Sequence, residues 1–102
     1  LSTLDKVPTG ADLHAAIADH FAGISGGFVE VAPLAQLDRM PDLDPQALND
    51  TNSMRLHVFA NDTRAQACLI AVYDNLGKGA SGAAVQNLNL MLGVDEATSL
   101  AA

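Results

Sequence analysis

The residues from Met54 to Tyr73 constrain this chain more than any others. Met54 to Ala60 alternates strictly, with Met54, Leu56, Val58 and Ala60 on one face and Arg55, His57 and Phe59 on the other, the period of a half-buried strand. Asn61-Asp62-Thr63-Arg64 carries turn chemistry. Ala67 to Tyr73 is then almost continuously apolar, as a strand covered on both faces should be. The spacing predicts an antiparallel hairpin. With Asn61 to Arg64 as its loop, Ala60 would face Ala65 and His57 would lie opposite Cys68. A two-stranded unit cannot stand alone in water, so the hairpin needs more sheet or a helix against it.

The rest of the chain supplies that cover. Ala11 to Phe21 places Leu13, Ala16, Ile17 and Phe21 at helical spacing. Thr9 and Asp12 form a capping-box pattern before it, and Gly23 can end it. Phe28 to Val31 reads as a short strand after Gly26-Gly27. Residues 32–53 hold three of the four prolines and the polar run Asn49-Asp50-Thr51-Asn52, so they read as a long irregular connection. A second amphipathic helix follows from Ala83, with Ala84, Val85, Leu88, Met91 and Leu92 as its apolar positions and Gly93 as its stop. The tail from Val94 to Ala102 is expected to fray. This order predicts an α+β fold, a small mostly antiparallel sheet with helices packed on one face. At 102 residues it is one domain. Only four residues are aromatic (three Phe, one Tyr), so Ala, Leu and Val must build a thin core.

Charge excludes some partners. Five basic against twelve acidic residues give a net charge of -7, which argues against nucleic acid and anionic membrane surfaces. No apolar run approaches a membrane span, and no leader opens the chain. The lone Cys68 excludes an internal disulfide and fits a reducing compartment, the cytoplasm. The chain starts at Leu1 without an initiator Met, as a piece of something longer would. His14 and His20 sit six residues apart on different faces of the first helix, and no metal site is expected. Cys68 is expected to be a small core hydrophobe rather than a nucleophile.

Between the second hairpin strand and the second helix lies Gly77-Lys78-Gly79-Ala80-Ser81-Gly82, a G-x-G-x-x-G run. Glycines there let a backbone approach a phosphate, and amides at a helix start face an anion. A complete dinucleotide fold needs a further strand and an acidic residue beyond it, for which too little chain remains. Two readings stay open: a turn that needs glycine for steric reasons, or a loop touching a phosphate or nicotinamide held mainly by another domain. Lys78 could neutralise a phosphate. Asn75, where the strand opens, can present its amide to a ligand, and Gln86, Asn87 and Asn89 add amides nearby.

The run from Tyr73 to Gly93, with Asp74-Asn75-Leu76-Gly77-Lys78-Gly79-Ala80-Ser81-Gly82 at its head and Val85-Gln86-Asn87-Leu88-Asn89-Leu90-Met91 behind, resembles the C-terminal signature of N-acetyl-gamma-glutamyl-phosphate reductases. Leu48 to Asn52, Arg55 to Phe59, and Asp12 to Ala16 leading to Phe28-Val29-Glu30-Val31 resemble the same family. The resemblance implies an oxidoreductase of arginine biosynthesis. It uses NADPH to convert N-acetyl-gamma-glutamyl phosphate to N-acetylglutamate semialdehyde and phosphate, through a cysteine thioacyl-enzyme and a histidine acid/base. It implies that residues 1–102 are the C-terminal part of the substrate and dimerisation domain, a GAPDH-like C-terminal domain fragment of a homo-oligomer. Residues 80–93 would then be the helix that packs back on an absent N-terminal NADP-binding domain. Asn75, Lys78, Gly79, Ala80, Ser81 and Gly82 would bind the NADP cofactor. None of the family's catalytic residues would lie in this chain, which alone should be inactive. The rival reading is an autonomous, non-catalytic module that oligomerises or binds a phosphorylated ligand through Gly77–Gly82.

Overall fold

The structure, a computed structural model, describes residues 5–22 and 27–101. The proposed helix stop at Gly23 and the Gly26 half of the glycine pair lie outside these residues.

Helix α1 spans Gly10–Ala22, and its start is the capping box. The Thr9 amide donates to Asp12 Oδ2 (3.0 Å) and the Asp12 amide to Thr9 Oγ1 (3.1 Å), which satisfies two amides the helix cannot pair. The donated amide of Thr9, with its hydroxyl, holds the Asp12 carboxyl below its ordinary range. The Gly10 amide donates to Asp62 Oδ1 (2.8 Å), so the far hairpin turn also caps this helix. His14 Nε2 donates to the Ala32 carbonyl (2.8 Å) and ties the helix body to the sheet.

Strand β3, Met54–Asn61, is the centre of the sheet, and β4, Gln66–Tyr73, pairs with it antiparallel along its full length. On the other side β3 meets two short strands in tandem, β1 at Val29–Val31 and β2 at Ala35–Gln36. Both run parallel to β3. The α+β class stands, but the sheet is mixed rather than mostly antiparallel. The reason is topological. Val29 pairs with Met54 and Ala35 with Phe59, so Ala32-Pro33-Leu34 places three residues against two of β3. That makes one bent edge strand with a bulge. Pro33 sits at the bulge, where its missing N–H breaks no ladder bond. A parallel return to β3 needs a crossover of a dozen or more residues, and residues 37–53 are that crossover. Their irregular look in the sequence follows from this role. They open with a 3-10 turn, Leu37–Asp42, and drop Leu48 into the core.

The hairpin register also departs from expectation. Ala60 pairs with Ala67, not Ala65, so His57 lies opposite Ile70 and Cys68 opposite Phe59. The strand runs one residue further, to Asn61. The turn is a 3-10 turn over Asp62–Arg64 closed by Ala65 in the left-handed region (φ 52°). A two-residue change of partner keeps every side chain on its face, but the expected burial is reversed. β3, flanked by strands on both sides, buries residues of both faces, whereas β4, expected to be covered on both faces, is an edge strand with Val72 as its one buried residue. His57 stacks on Phe59 instead (centroids 5.9 Å, planes 8° apart).

The core is Phe28, Leu48, Leu56, Val58, Phe59, Ala60 and Val72. α1 packs on β1 and β3, and the crossover covers the other face. The short dimension of 19 Å leaves room for a sheet and about one helical layer. Helix α2, Gly82–Leu92, packs mainly on the turn that precedes it rather than on the sheet. Met91 is 83% and Leu92 67% exposed. Gly93, at φ 73°, ends α2 by donating its amide back to Asn89 and Leu90. The tail does not fray. Asn89 Nδ2 donates to the carbonyls of Glu96 (3.0 Å) and Thr98 (2.8 Å), and the Asn52 amide to the Ala101 carbonyl (2.8 Å). Among the described residues no helix is long and apolar enough to cross a membrane.

Desolvation at the stacked face, helped by the Arg55 guanidinium and opposed by Glu30, holds His57 below its ordinary 6.5. The folded chain therefore binds this proton less readily than the unfolded chain. The stability His57 contributes is complete above about pH 6.5 and is lost as pH falls through its lower folded value. In the intact protein, wild type should lose stability between pH 7 and pH 5, and His57→Leu should lose less over the same interval. Parallel pH profiles would show that His57 stays as hydrated in the fold as in the unfolded chain.

Candidate functional site

The site forms where β4 ends. Asp74 accepts the Asp50 amide at Oδ2 (3.0 Å) and the Leu76 amide at Oδ1 (3.2 Å). One carboxylate thus joins the end of the crossover, where Asp50 takes the left-handed conformation (φ 64°), to the end of the strand. From there Gly77–Ser81 forms a single wide π turn. The amides of Gly79, Ser81 and Gly82 donate to the carbonyls of Asp74, Leu76 and Gly77. These three N–H groups are therefore spent inside the turn, and the phosphate cradle that the glycine pattern suggests does not form from them. The steric reading of the glycines holds at two positions. A Cβ on Gly77 would sit 2.5 Å from the Thr51 carbonyl oxygen, and one on Gly82 would overlap Asn52 Oδ1 and lie 2.7 Å from the Gly77 carbonyl oxygen.

The residues singled out in the sequence fall into three groups. Asn75, Gly79 and Ala80 stand exposed on the outer side of the turn. Ser81 and Gly82 line a cleft of about 300 Å³ on the other side, shared with Asp50, Thr51, Asn52, Asp74 and the tail residues Ser99 to Ala101. Lys78 turns inward. Its Nζ donates to Gln86 Oε1 and lies 5.6 Å from the centre of the Phe28 ring, a cation–π distance.

Sequence reasoning underrated Asn52 and Asn89, both buried. A helix-interior asparagine is unfavourable by propensity, and Asn89 makes that good by holding the tail. Asn52 Nδ2 donates to Gln86 Oε1 (2.8 Å), and Gln86 Nε2 donates to Glu96 Oε2 (2.8 Å). Asn87 is exposed. Cys68 is a free thiol opposite Phe59, half-buried on an edge strand rather than at the expected core position. Among the described residues no three His, Cys, Asp or Glu side chains group as metal ligands.

No family model matches the chain. Curated relatives do. The chain is 72% identical over 94 residues to the N-acetyl-gamma-glutamyl-phosphate reductase of Mesorhizobium japonicum, which covers 92% of this chain and 30% of the relative. It is 68% identical over 92 residues to the reductase of the same name from a Chelativorans species (90% and 30%). It is 50% identical over 103 residues to N-acetyl-gamma-glutamyl-phosphate reductase 2 of a Nostoc species (98% and 31%). The chain thus spans just under a third of the length of these relatives, with the glycine turn and its amide partners inside a match that runs almost end to end. Over that span, the chain belongs to the N-acetyl-gamma-glutamyl-phosphate reductase family.

Proposed function

We propose that this chain is the part of an NADP-dependent N-acetyl-gamma-glutamyl-phosphate reductase that closes the cofactor cleft at its nicotinamide end. The complete polypeptide reduces the acyl phosphate to N-acetylglutamate semialdehyde in arginine biosynthesis, NADPH supplying the hydride as inorganic phosphate leaves. The catalytic cysteine and histidine belong to residues outside this chain, and the chain alone is inactive.

The observation that carries this reading is the pairing of Asn75 with Gly79. Asn75 is exposed at the strand end, and a Cβ on Gly79 would stand 3.2 Å from both Asn75 Oδ1 and Tyr73 Cε2. Glycine keeps that side of the carboxamide open. A carboxamide offers a donor and an acceptor together, which suits the carboxamide of a nicotinamide better than a phosphate. The internal use of the turn amides weighs the same way. Asn75 orients the ring, the backbone of Lys78, Gly79 and Ala80 forms the wall against it, and Ser81 and Gly82 continue that wall. The exposed apolar side of α2, with Leu88, Met91 and Leu92, docks on the NADP-binding domain and excludes water from the cleft. The uncovered side of the hairpin, where Leu69 and Tyr73 are exposed, is the contact between subunits of a cytoplasmic homo-oligomer.

Replacing Asn75 with Ala in the intact enzyme should raise the Michaelis constant for NADPH about tenfold, the scale of one lost hydrogen bond. NADPH kinetics identical to wild type would remove Asn75 from the cleft and return the autonomous-module reading to the front.

A further inference from the structure

We propose that Asn52 is a positioning residue for this cofactor wall, acting through Gln86 as a brace that fixes the shape of the Gly77–Gly82 turn. The proposal rests on the reading of that turn as the nicotinamide wall and adds a residue that touches neither cofactor nor substrate.

Asn52 is 2% exposed, and burying an amide is unfavourable unless its hydrogen bonds are made. It comes from the end of the crossover, far in sequence from the turn, and reaches across to α2. There its Nδ2 donates to Gln86 Oε1 (2.8 Å). The same oxygen accepts Lys78 Nζ from the middle of the turn. A carbonyl oxygen has two lone pairs, so Gln86 Oε1 is saturated by one donor from the crossover and one from the turn. Gln86 is held in turn by its own donation to Glu96 Oε2 (2.8 Å), and Asn52 by its backbone amide on the Ala101 carbonyl. The remaining Asn52 oxygen has no hydrogen-bond partner among the described residues and lies where a Cβ of residue 82 would go. It is thereby packed against the last glycine of the turn.

The brace decides which way the turn faces. With Nζ of Lys78 drawn inward to Gln86, the next two residues, Gly79 and Ala80, present their backbone outward beside Asn75. Release Lys78, and the turn keeps its internal backbone hydrogen bonds through Gly79, Ser81 and Gly82 but loses its side-chain hydrogen bond to α2, the tie that sets how it sits against that helix. A residue that only supported folding would lower stability and leave cofactor affinity alone. A brace changes affinity, and its two halves act as one unit.

The test uses the full-length enzyme and direct fluorescence titration with NADPH, alongside thermal unfolding. Gln86→Met keeps the length and apolar stem of the side chain and removes both polar groups; Asn52→Ala removes the other half. Each should weaken NADPH binding about tenfold, and the double variant should be no weaker than about tenfold. Asn75→Ala is the control for the underlying reading. If Asn75→Ala weakens NADPH binding while Gln86→Met does not, the brace is refuted and the cleft assignment survives. If Asn75→Ala also leaves binding unchanged, the cleft assignment fails and takes the brace with it. Losses that multiply in the double variant would overturn the claim that the two residues act together. Should Asn52→Ala not fold, Gln86→Met together with Lys78→Met carries the same cycle, with the same non-additivity expected and full additivity overturning it.

Discussion

Replacing Phe59 with Ala should destabilise the protein by about 3–5 kcal/mol, the range for removing a fully packed aromatic ring. Phe59 is 4% exposed where β3 has a strand on each side. Ala35 flanks it on the parallel side and Cys68 on the antiparallel side, and its ring stacks on His57. The chain has four aromatic residues, and only Phe28 and Phe59 are buried. The remaining core side chains are aliphatic and small, and they cannot spread to refill the space a lost ring leaves. A domain of this size has about 5–15 kcal/mol of stability in all, so the variant should sit near its unfolding midpoint under mild denaturant. Denaturant unfolding of the intact protein reads this directly. A cost under about 1.5 kcal/mol would mean that the crossover collapses onto the sheet and that the ring is not what fills this layer.

Gly82→Ala should cost about 3 kcal/mol, the upper end for forcing an extra carbon into a packed site. Helix propensity alone predicts the opposite, a gain of about 1 kcal/mol at the start of α2. The steric side wins because of what the new Cβ meets. One neighbour is the oxygen of buried Asn52, and the other is the Gly77 carbonyl, which accepts the Gly82 amide itself. That carbonyl cannot retreat without breaking the π turn. Gly79 differs: its nearest neighbours are the ends of the Asn75 and Tyr73 side chains, which can swing. Thermal unfolding separates the two effects. A more stable Gly82→Ala protein would show that the crossover and the turn slide apart at little cost.

The elements specified by local signals were legible in the sequence. Thr9 and Asp12 announce α1, alternation announces β3, an apolar run announces β4, and Gly93 closes α2. What escaped depends on distant residues. Ala35-Gln36 has no strand character of its own and is a strand only because the far half of β3 offers an open edge. The parallel direction follows from a crossover whose prolines and polar residues look like any loop. The hairpin register turns on Ala65 adopting a left-handed conformation, which alanine does not advertise. The same division holds at the candidate site. The glycine turn and Asn75 stand out by spacing, whereas Asn52, Gln86 and Glu96 come from three separate segments and meet only in the folded chain.

The tandem pairing on β3 also orders the assembly of the sheet in time. Closing the hairpin begins with Asn61 and Gln66, five positions apart, whereas β1 must find β3 across the 25 positions from Val29 to Met54. Loop-closure entropy makes the second event costlier by about 1.4 kcal/mol. Until then the edge of β3 that receives Val29 and Val31 has no strand beside it. Loop closure therefore predicts that the hairpin forms first and the edge strand condenses on it, with Pro33 letting that strand bend along a twisted template without giving up a hydrogen bond.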